Sequence, residues 1–483
     1  MSQVDPFSVD YRTSERKQAF TDDGLISFNV YNRGKQKQNS RDIVKQFKAE
    51  KDGDDEFSLS SELSSFANDV SILGMKQIVN PKFSLFRRAT WLCFVLAGTG
   101  FLIYHLWNRL DYYFSNPASV NIRVNYDGSL LFPTVTICNN NVFLKSKLAA
   151  NNETYIGDLF YPSFDSYPNW SAYNFTGFNW TDFYYRNGYS VMDVFGGFCF
   201  WKSSPCQANV LKPVITEHGV CYQFNSGDEG KRSDVEGSLY GLMISFMTKQ
   251  EEYLVGSYIA GYTILLHNSK DHPNVVTQGF QVAPGGSANV AIKQKYVKNL
   301  PQPHGQCADK QLAYFPHYSK INCQAECLHN KTIEKCGCRL VYYPEVPGLR
   351  ECSPIDVNTC WGPLLTNVSQ IMKNCACTEA CETFYFEYSV TTGLVSDVSA
   401  QAAAVFLNTT QTYVEKNYLA VYLYYKEMSY EEVIQQEAYS TLTLLADIGG
   451  ALGLILGSTL MTVAEILDFF LGLSIWKFFG VKL

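Results

Sequence analysis

Three carboxylates lie inside a long apolar stretch near the end of the sequence, where ionised side chains are unusual. The stretch runs from Leu442 to Ile475, and the acids are Asp447, Glu465 and Asp468. A carboxylate that faces hydrocarbon is energetically costly, so these groups must face protein or water. Their negative potential attracts cations. The pattern therefore favours a water-filled path through a membrane.

The length of this stretch is a second constraint. As one continuous helix its 34 residues would extend about 51 Å, whereas the hydrocarbon core of a bilayer is about 30 Å thick. We expect the segment to tilt, to project beyond the bilayer or to break. In an unbroken helix Asp447, Leu454, Ser458 and Glu465 share one face, because 18 residues make about five turns. One helix cannot enclose a pore, so several copies are expected.

A second apolar run, from Ala89 to Leu106, contains no Asp, Glu, Lys or Arg. Basic residues precede it and aromatic residues follow, which is typical of a transmembrane helix whose N-terminus is cytosolic. We expect no signal peptide before it, so that this helix itself directs insertion. The predicted topology is a cytosolic N-terminus, one large extracellular domain and a cytosolic C-terminal tail.

Cysteines and glycosylation sequons support an extracellular middle. Of the 15 cysteines, 14 lie between Cys138 and Cys381, and Cys93 lies in the first apolar run. An even number in that region predicts a disulfide framework rather than a zinc site, so no metal is expected. The Asn-x-Ser/Thr sequons all lie between the two apolar runs, at Asn152, Asn169, Asn174, Asn179, Asn330, Asn367 and Asn408.

Composition excludes other classes of function. The net charge of −7 gives no indication of nucleic-acid binding. The sequence contains no HExxH, GxSxG or Walker A pattern, so no enzyme is predicted. Short alternating runs predict strands at 131–138, 217–225, 256–268, 286–297 and 417–428. The predicted fold is a membrane protein with two transmembrane helices and a disulfide-rich α+β ectodomain.

Nine stretches, in order, resemble the degenerin/epithelial sodium channel family, most closely its acid-sensing and peptide-gated branches. They include FPTVTICNNN, GVCYQFNSG, GFQVAPGG, CACTEACETFYF and LLADIGGALGLILGSTLMTVAEILDF. The resemblance implies a homo- or heterotrimeric channel in the lipid bilayer, with an ectodomain of palm, β-ball, knuckle, finger and thumb. Together with the apolar runs, the resemblance predicts the domain boundaries. Residues 1–63 form a cytosolic, largely disordered segment, residues 64–86 a re-entrant segment before the membrane, and residues 87–108 the first transmembrane span. Residues 109–437 form the ectodomain, residues 438–475 the second transmembrane span, and residues 476–483 a cytosolic tail.

The resemblance also implies a disulfide pairing that the sequence alone leaves open. The implied pairs are Cys138–Cys221, Cys199–Cys206, Cys307–Cys381, Cys323–Cys377, Cys327–Cys375, Cys336–Cys360 and Cys338–Cys352.

Roles in the pore follow from the same resemblance. The selectivity filter corresponds to Gly457, Ser458 and Thr459, whose carbonyl and hydroxyl oxygens would replace part of the hydration shell of Na⁺. Where Ser is usual, the extra methyl group of Thr459 is expected to narrow the ring. The family further implies these positions: Asp447 at the outer mouth, Glu465 and Asp468 toward the inner mouth, Ala446 where a small side chain permits closing, and Gly453 at the amiloride contact. Few Lys or Arg residues near these acids are expected to pair with them.

Two positions depart from the family pattern. A re-entrant His-Gly pair is replaced by Leu73-Gly74, which keeps only the backbone freedom of the glycine. A Trp at the base of the thumb is replaced by His304. Either this histidine faces Tyr112 or Tyr113 as a pH-sensitive joint, or it is an exposed residue of no consequence.

The sequence does not determine which stimulus opens the channel. The thumb segment from Cys360 to Cys375 has no Asp or Glu, so opening by paired carboxylates of raised pKa is not expected. An extracellular neuropeptide, release of divalent-cation block and a constitutive leak remain. The aromatic finger, residues 145–180, either binds a peptide or packs on itself, and packing is favoured. We expect a voltage-independent, amiloride-sensitive, sodium-preferring channel of the plasma membrane. An obligate heteromeric subunit and an ATP-gated type of trimer are the alternatives.

Overall fold

The computed structural model describes residues 65–66, 74–160, 172–227, 230–457, 462 and 464–471. Leu73, Ser458, Thr459 and Asn169 therefore lie outside the described residues. The chain divides into two compact units, one comprising residues 1–92 and 464–483 and the other residues 93–463.

Helices occupy both units. In chain order they are α1 (Met75–Val79), α2 (Leu85–Phe114), α3 (Lys145–Ala150), α4 (Thr154–Phe160), α5 (Trp180–Asn187), α6 (Val191–Val194), α7 (Val275–Gln278), α8 (Lys320–Cys336), α9 (Pro354–Asp356), α10 (Gly362–Leu365), α11 (Val368–Cys375), α12 (Asp397–Phe406), α13 (Gln411–Asn417) and α14 (Thr441–Leu456). Residues 464–471 are also helical.

Strands form the core of the second unit. They are β1 (Ala118–Tyr126), β2 (Leu130–Leu131), β3 (Thr134–Asn139), β4 (Phe195–Trp201), β5 (Ser204–Pro205), β6 (Leu211–Thr216), β7 (Gly219–Phe224), β8 (Arg232–Ser233), β9 (Leu242–Met247), β10 (Tyr262–His267), β11 (Phe280–Val282), β12 (Gly286–Lys298), β13 (Glu382–Leu394) and β14 (Tyr418–Glu437). One sheet has the order β13-β12-β14-β9-β4-β5, with β1 also paired to β14, and a second has the order β11-β10-β3-β7-β6.

The main hydrophobic core consists of residues from both large sheets. Along β12 the side chains alternate, so that Ala288, Val290 and Ile292 are fully buried while their neighbours are not. Leu423 of β14 and Ile264 of β10 belong to the same buried cluster. Burial on this scale is what allows a strand-rich ectodomain to fold around an apolar interior.

The strands predicted by alternation are present, with one correction. Residues 256–261, predicted as the start of a strand, form turns and bends, and the strand begins only at Tyr262. The reason is Gly261, which has a φ of 132° and approaches the backbone closely. A Cβ atom there would lie 2.3 Å from the carbonyl oxygen of Val282.

The first unit contains the segment before the first apolar helix. Gly74 has a φ of 93° and starts α1, a conformation that favours glycine. Arg88 Nε donates a hydrogen bond to the carbonyl oxygen of Ile78 across 2.7 Å. In the same unit the rings of Phe66 and Phe469 stack with centroids 4.2 Å apart.

Candidate functional site

Among the described residues, α2 is the one helix long and apolar enough to cross a membrane. It has 30 residues, whereas α14 has 16, which corresponds to about 24 Å and is shorter than the hydrocarbon core. A single helix over the whole second apolar stretch therefore does not form.

A glycine ends α14. Gly457 has φ 62° and ψ 15°, the left-handed conformation, and its N–H donates to the carbonyl oxygen of Leu452. Glycine adopts this conformation at little cost, and it commonly terminates helices. The helix thus ends at the first residue of the tripeptide that the resemblance assigns to the filter. The break that was one of the expectations for this stretch is therefore present, and the face that Asp447 and Glu465 would share in an unbroken helix is interrupted here.

The outward face of α14 carries small residues. Ala446, Gly449 and Gly453 are exposed in this chain, whereas Leu444 and Ala451 are buried on the opposite side. Ala446 and Gly453, to which the resemblance gives roles in closing and in amiloride contact, therefore lie on the same face. Small side chains allow close approach of another helix in a membrane.

Asp447 faces the first apolar helix. Tyr439 Oη donates a hydrogen bond to Asp447 Oδ2 across 2.6 Å, and Arg109 Nε lies 3.4 Å from the same oxygen. The expectation that basic partners are scarce near the acids is wrong for Asp447. Arg109 lies far away in the sequence, at the end of α2, and only the fold brings it to the second helix.

Two tyrosines of α2 reinforce this junction. The hydroxyl groups of Tyr113 and Thr441 are 3.1 Å apart and share a hydrogen bond. The ring of Tyr112 meets that of Tyr439 edge to face, with centroids 5.3 Å apart. The ends of α2 and α14 are therefore joined by polar and aromatic contacts within one chain.

His304 has a different neighbour from the one expected. Its Nε2 lies 3.6 Å from Glu437 Oε1, and its side chain is 18% exposed. The ring that packs against Tyr112 and Tyr113 is that of Tyr439. The expectation that His304 faces these tyrosines is corrected to a contact with Glu437, and the alternative of a freely exposed histidine is wrong.

A two-stranded ribbon connects both apolar helices to the large sheet. β1 follows α2, β14 precedes α14, and the two strands pair antiparallel from Ala118↔Glu437 to Tyr126↔Ser429. The N–H of Ala438 also donates to the carbonyl oxygen of Pro117 across 2.9 Å. One strand pair therefore links the ends of both helices to the same sheet.

The two acids to which the resemblance gives an inner-mouth position lie in the first unit. Glu465 and Asp468 are exposed in this single chain and belong to the helical residues 464–471. Of the re-entrant pair, Gly74 has a positive φ, as described above, and Leu73 lies outside the described residues.

The structure forms the seven disulfides that the resemblance implies. Cys323 and Cys327 are one turn apart on α8. Cys327 is bonded to Cys375, the last residue of α11, and Cys323 is bonded to Cys377, two residues further on. The remaining bonds are Cys138–Cys221, Cys199–Cys206, Cys307–Cys381, Cys336–Cys360 and Cys338–Cys352. Cys93 is free and exposed.

The sequon asparagines that the structure describes are exposed, as attachment of a glycan requires. They are Asn152, Asn174, Asn179, Asn330, Asn367 and Asn408. Four described aromatic residues of the finger, Phe160, Phe175, Phe178 and Trp180, pack with Phe143 and Phe183 into a separate cluster. Phe143, Trp180 and Phe183 are at most 1% exposed, whereas Tyr155 of the finger is 45% exposed. For the residues of this cluster, the interpretation as packing agrees with the structure.

Sequence reasoning missed Arg109 and Tyr439. A usable signal was present, since Arg109 comes three residues after the first apolar run ends at Leu106, and Tyr439 comes three residues before the second begins at Leu442. The predicted topology puts both positions at the outer surface of the membrane, and therefore at the same depth.

Comparison with known proteins agrees with this arrangement. The pattern of the family described as amiloride-sensitive sodium channel matches residues 66–469. Acid-sensing ion channel 1C of Danio rerio is 30% identical over 86% of this chain and 85% of its own length. Acid-sensing ion channel 2 of Rattus norvegicus is 29% identical over 85% of this chain and 86% of its own.

A more distant acid-sensing relative is similar over nearly the same span. Acid-sensing ion channel 1 of Gallus gallus is 28% identical over 84% of this chain and 83% of its own length. The family pattern covers the disulfide-rich sheets, the end of α2 and the glycine-terminated α14 together. The chain therefore belongs to the amiloride-sensitive sodium channel family, whose members are ion channels and not enzymes.

Proposed function

We propose that this chain forms a trimeric, voltage-independent, sodium-preferring cation channel of the plasma membrane, blocked by amiloride. Both termini are cytosolic, and the second apolar segment of each subunit lines the pore. One observation carries the proposal above the others: α14 ends at a left-handed glycine inside an apolar stretch. Non-helical backbone at membrane depth is tolerated only where it is buried in protein or lines a water-filled cavity.

The roles of the site residues follow from this proposal. Gly457, Ser458 and Thr459 form the constriction that Na⁺ passes. Asp447 sets the charge at the outer mouth, and Glu465 and Asp468 set it at the inner mouth. Gly453 contacts amiloride, Ala446 permits closing, and extracellular divalent cations block the path.

For the stimulus, we propose an extracellular ligand of the neuropeptide class. The segment from Cys360 to Cys375 contains no acidic residue, which argues against a carboxylate pair there as the trigger. The second candidates are a constitutive sodium leak and an obligate subunit of a heteromeric channel.

Voltage clamp of cells that express the chain alone tests the proposal. The recordings step external pH and divalent concentration, apply a neuropeptide panel, and replace Na⁺ in the presence or absence of amiloride. We expect a sodium-dependent current that amiloride blocks, and the stimulus that opens it identifies the gating branch. A surface-expressed protein that conducts only after co-expression of a relative supports the heteromeric candidate.

A matched pair of glycine substitutions links the current to the break. Gly457→Val places a β-branched residue at a φ of 62° and is expected to change selectivity. Gly100→Val on α2, where a Cβ meets nothing within 4 Å, serves as the control. Equal effects of the two variants contradict the role given to Gly457.

A further inference from the structure

Arg109, Tyr439 and Asp447 form a group that we call the outer clasp. Its members come from three places: the end of α2, the connection after β14, and the first turns of α14. Arg109 and Tyr439 contact the same oxygen atom, Oδ2 of Asp447. The distance is 3.4 Å from Arg109 Nε and 2.6 Å from Tyr439 Oη.

The outer clasp is held by its surroundings. Tyr439 is 5% exposed, and its ring is fixed by contacts with Tyr112 and Tyr113. The side chains of Arg109 and Asp447 are 41% and 33% exposed, so the ion pair is half-buried. Partial burial reduces screening by salt relative to a fully exposed pair. Tyr439 is thus positioned to orient the carboxylate toward Arg109.

Pairing with Arg109 weakens the attraction of cations by Asp447. A guanidinium group next to a carboxylate cancels most of its potential at distances longer than the separation of the pair. Each copy of the chain brings one Arg109 for every Asp447. A ring of paired aspartates at the outer mouth therefore attracts cations far less than a ring of free ones.

We propose that Arg109 is a positioning residue that masks the charge of Asp447, and that Tyr439 holds the carboxylate in the masked position. The strength of cation attraction at the outer mouth is then determined by whether the clasp is closed. This inference rests on the proposed function, because it assigns Asp447 to a cation path.

The first test measures block by external CaCl₂ and unitary conductance at low and high NaCl. Arg109→Gln unmasks Asp447, so we expect the half-blocking Ca²⁺ concentration to fall about two- to five-fold, the range expected for a half-exposed ion pair. Conductance should rise at low salt and change little at high salt, a signature that a merely structural role does not produce. Arg109→Lys keeps the charge and should largely retain wild-type block.

The controls isolate the pair. In an Asp447→Asn background the effect of Arg109→Gln should vanish, since no charge is left to unmask. Arg123→Gln, an exposed site on β1, makes the same change of net charge and should leave the block unchanged. If Arg109→Gln fails to reach the surface, Tyr439→Phe keeps the ring, removes the hydroxyl group and should shift the block in the same direction. Additive effects of Arg109→Gln and Asp447→Asn, or no effect of either clasp variant, overturn the inference.

A second measurement separates this inference from the proposed function. Melting temperatures of the purified wild-type protein, Arg109→Gln, Asp447→Asn and the double variant form a double-mutant cycle. This cycle measures the interaction between the two residues without recording a current. Coupling between the two sites in a protein that conducts neither alone nor with a co-expressed relative refutes the channel assignment and retains only the contact between Arg109 and Asp447. Normal currents with no coupling and no change in block refute the clasp alone.

Discussion

Glu351 accepts a hydrogen bond from the backbone N–H of Trp180 across 2.6 Å, joining the cysteine-rich segment to the start of α5. The same carboxylate accepts a hydrogen bond from Arg339 Nη2 at 2.7 Å, and the side chains of Arg339 and Glu351 are only 7% and 13% exposed. One acidic group thus neutralises a buried guanidinium and satisfies a free N–H at a helix N-terminus.

This double role predicts a large effect of removing the carboxylate. Glu351→Ala leaves Arg339 charged and buried without its main partner, and should lower the free energy of unfolding by about 3–5 kcal/mol. The matched control is Glu345→Gln, which alters a second acid near Arg339 that is 87% exposed and 3.8 Å away. We expect that change to stay within about 0.5 kcal/mol. Melting of the purified protein measures both, and equal shifts contradict the account.

Glu217 predicts a dependence of stability on pH. It lies in the turn between β6 and β7, where burial raises its pKa from 4.5 to about 7, and its Oε2 has no hydrogen-bond partner among the described residues. Between those two pH values the folded protein binds more protons than the unfolded chain. Stability therefore falls as pH rises from about 4.5 to 7, by about 3 kcal/mol in all.

The variant Glu217→Gln cannot ionise and should lose this dependence. The free energy of unfolding of the variant minus that of wild type should be about 3 kcal/mol larger at pH 8 than at pH 4. Melting temperatures across this range provide the measurement, with the exposed Glu236→Gln as the control. A difference between Glu217→Gln and wild type that is constant over pH shows that the carboxyl group titrates normally.

The position of Gly98 predicts how large a side chain the contact between α2 and α14 can accommodate. A Cβ added there would lie 3.3 Å from Ile455 Cγ2, whereas one added at Gly100 meets nothing within 4 Å. Gly98→Val should separate the helices and destabilise the protein by about 1–3 kcal/mol more than Gly100→Val, which has the same effect on helix propensity. Comparison of melting temperatures in one detergent tests this, and indistinguishable values refute the contact.

Glu465 predicts an effect on permeation. If Glu465 lies at the inner mouth as proposed, Glu465→Gln removes its carboxylate from each subunit and should lower unitary conductance or sodium selectivity, because fewer cations are concentrated there. Glu427→Gln makes the same change at an exposed position on β14 and is the control. Unaltered permeation in Glu465→Gln removes this residue from the pore.

Much of the fold was predictable because its signals are local. Alternation along β12 and β14 reports which side chains are buried, and the excess length of the second apolar stretch predicted a tilt, a projection or a break. The turn before Tyr262 was missed because the close approach of Gly261 to Val282 is a contact between distant segments. Periodicity carries no information about such contacts.

The same reason explains what was missed at the site. Asp447 was recognisable as an unusual carboxylate, yet its partner Arg109 belongs to another helix, and the pairing depends on how β1 and β14 bring the two helix ends together. Glu351 and Trp180 are likewise joined only by the fold. Disulfide pairing needed the family resemblance, since cysteine spacing alone permits many combinations.

The most direct test of the central claim is a current that does not depend on knowing the stimulus. Ala446 lies on the exposed face of α14, where the family resemblance requires a small side chain for closing, so Ala446→Phe should hold the channel open. We predict a standing inward current that disappears when Na⁺ is replaced by a large organic cation and that amiloride blocks. Surface-expressed Ala446→Phe protein that carries no current above background, either alone or co-expressed with a relative, would contradict the assignment of this chain as a sodium-preferring channel.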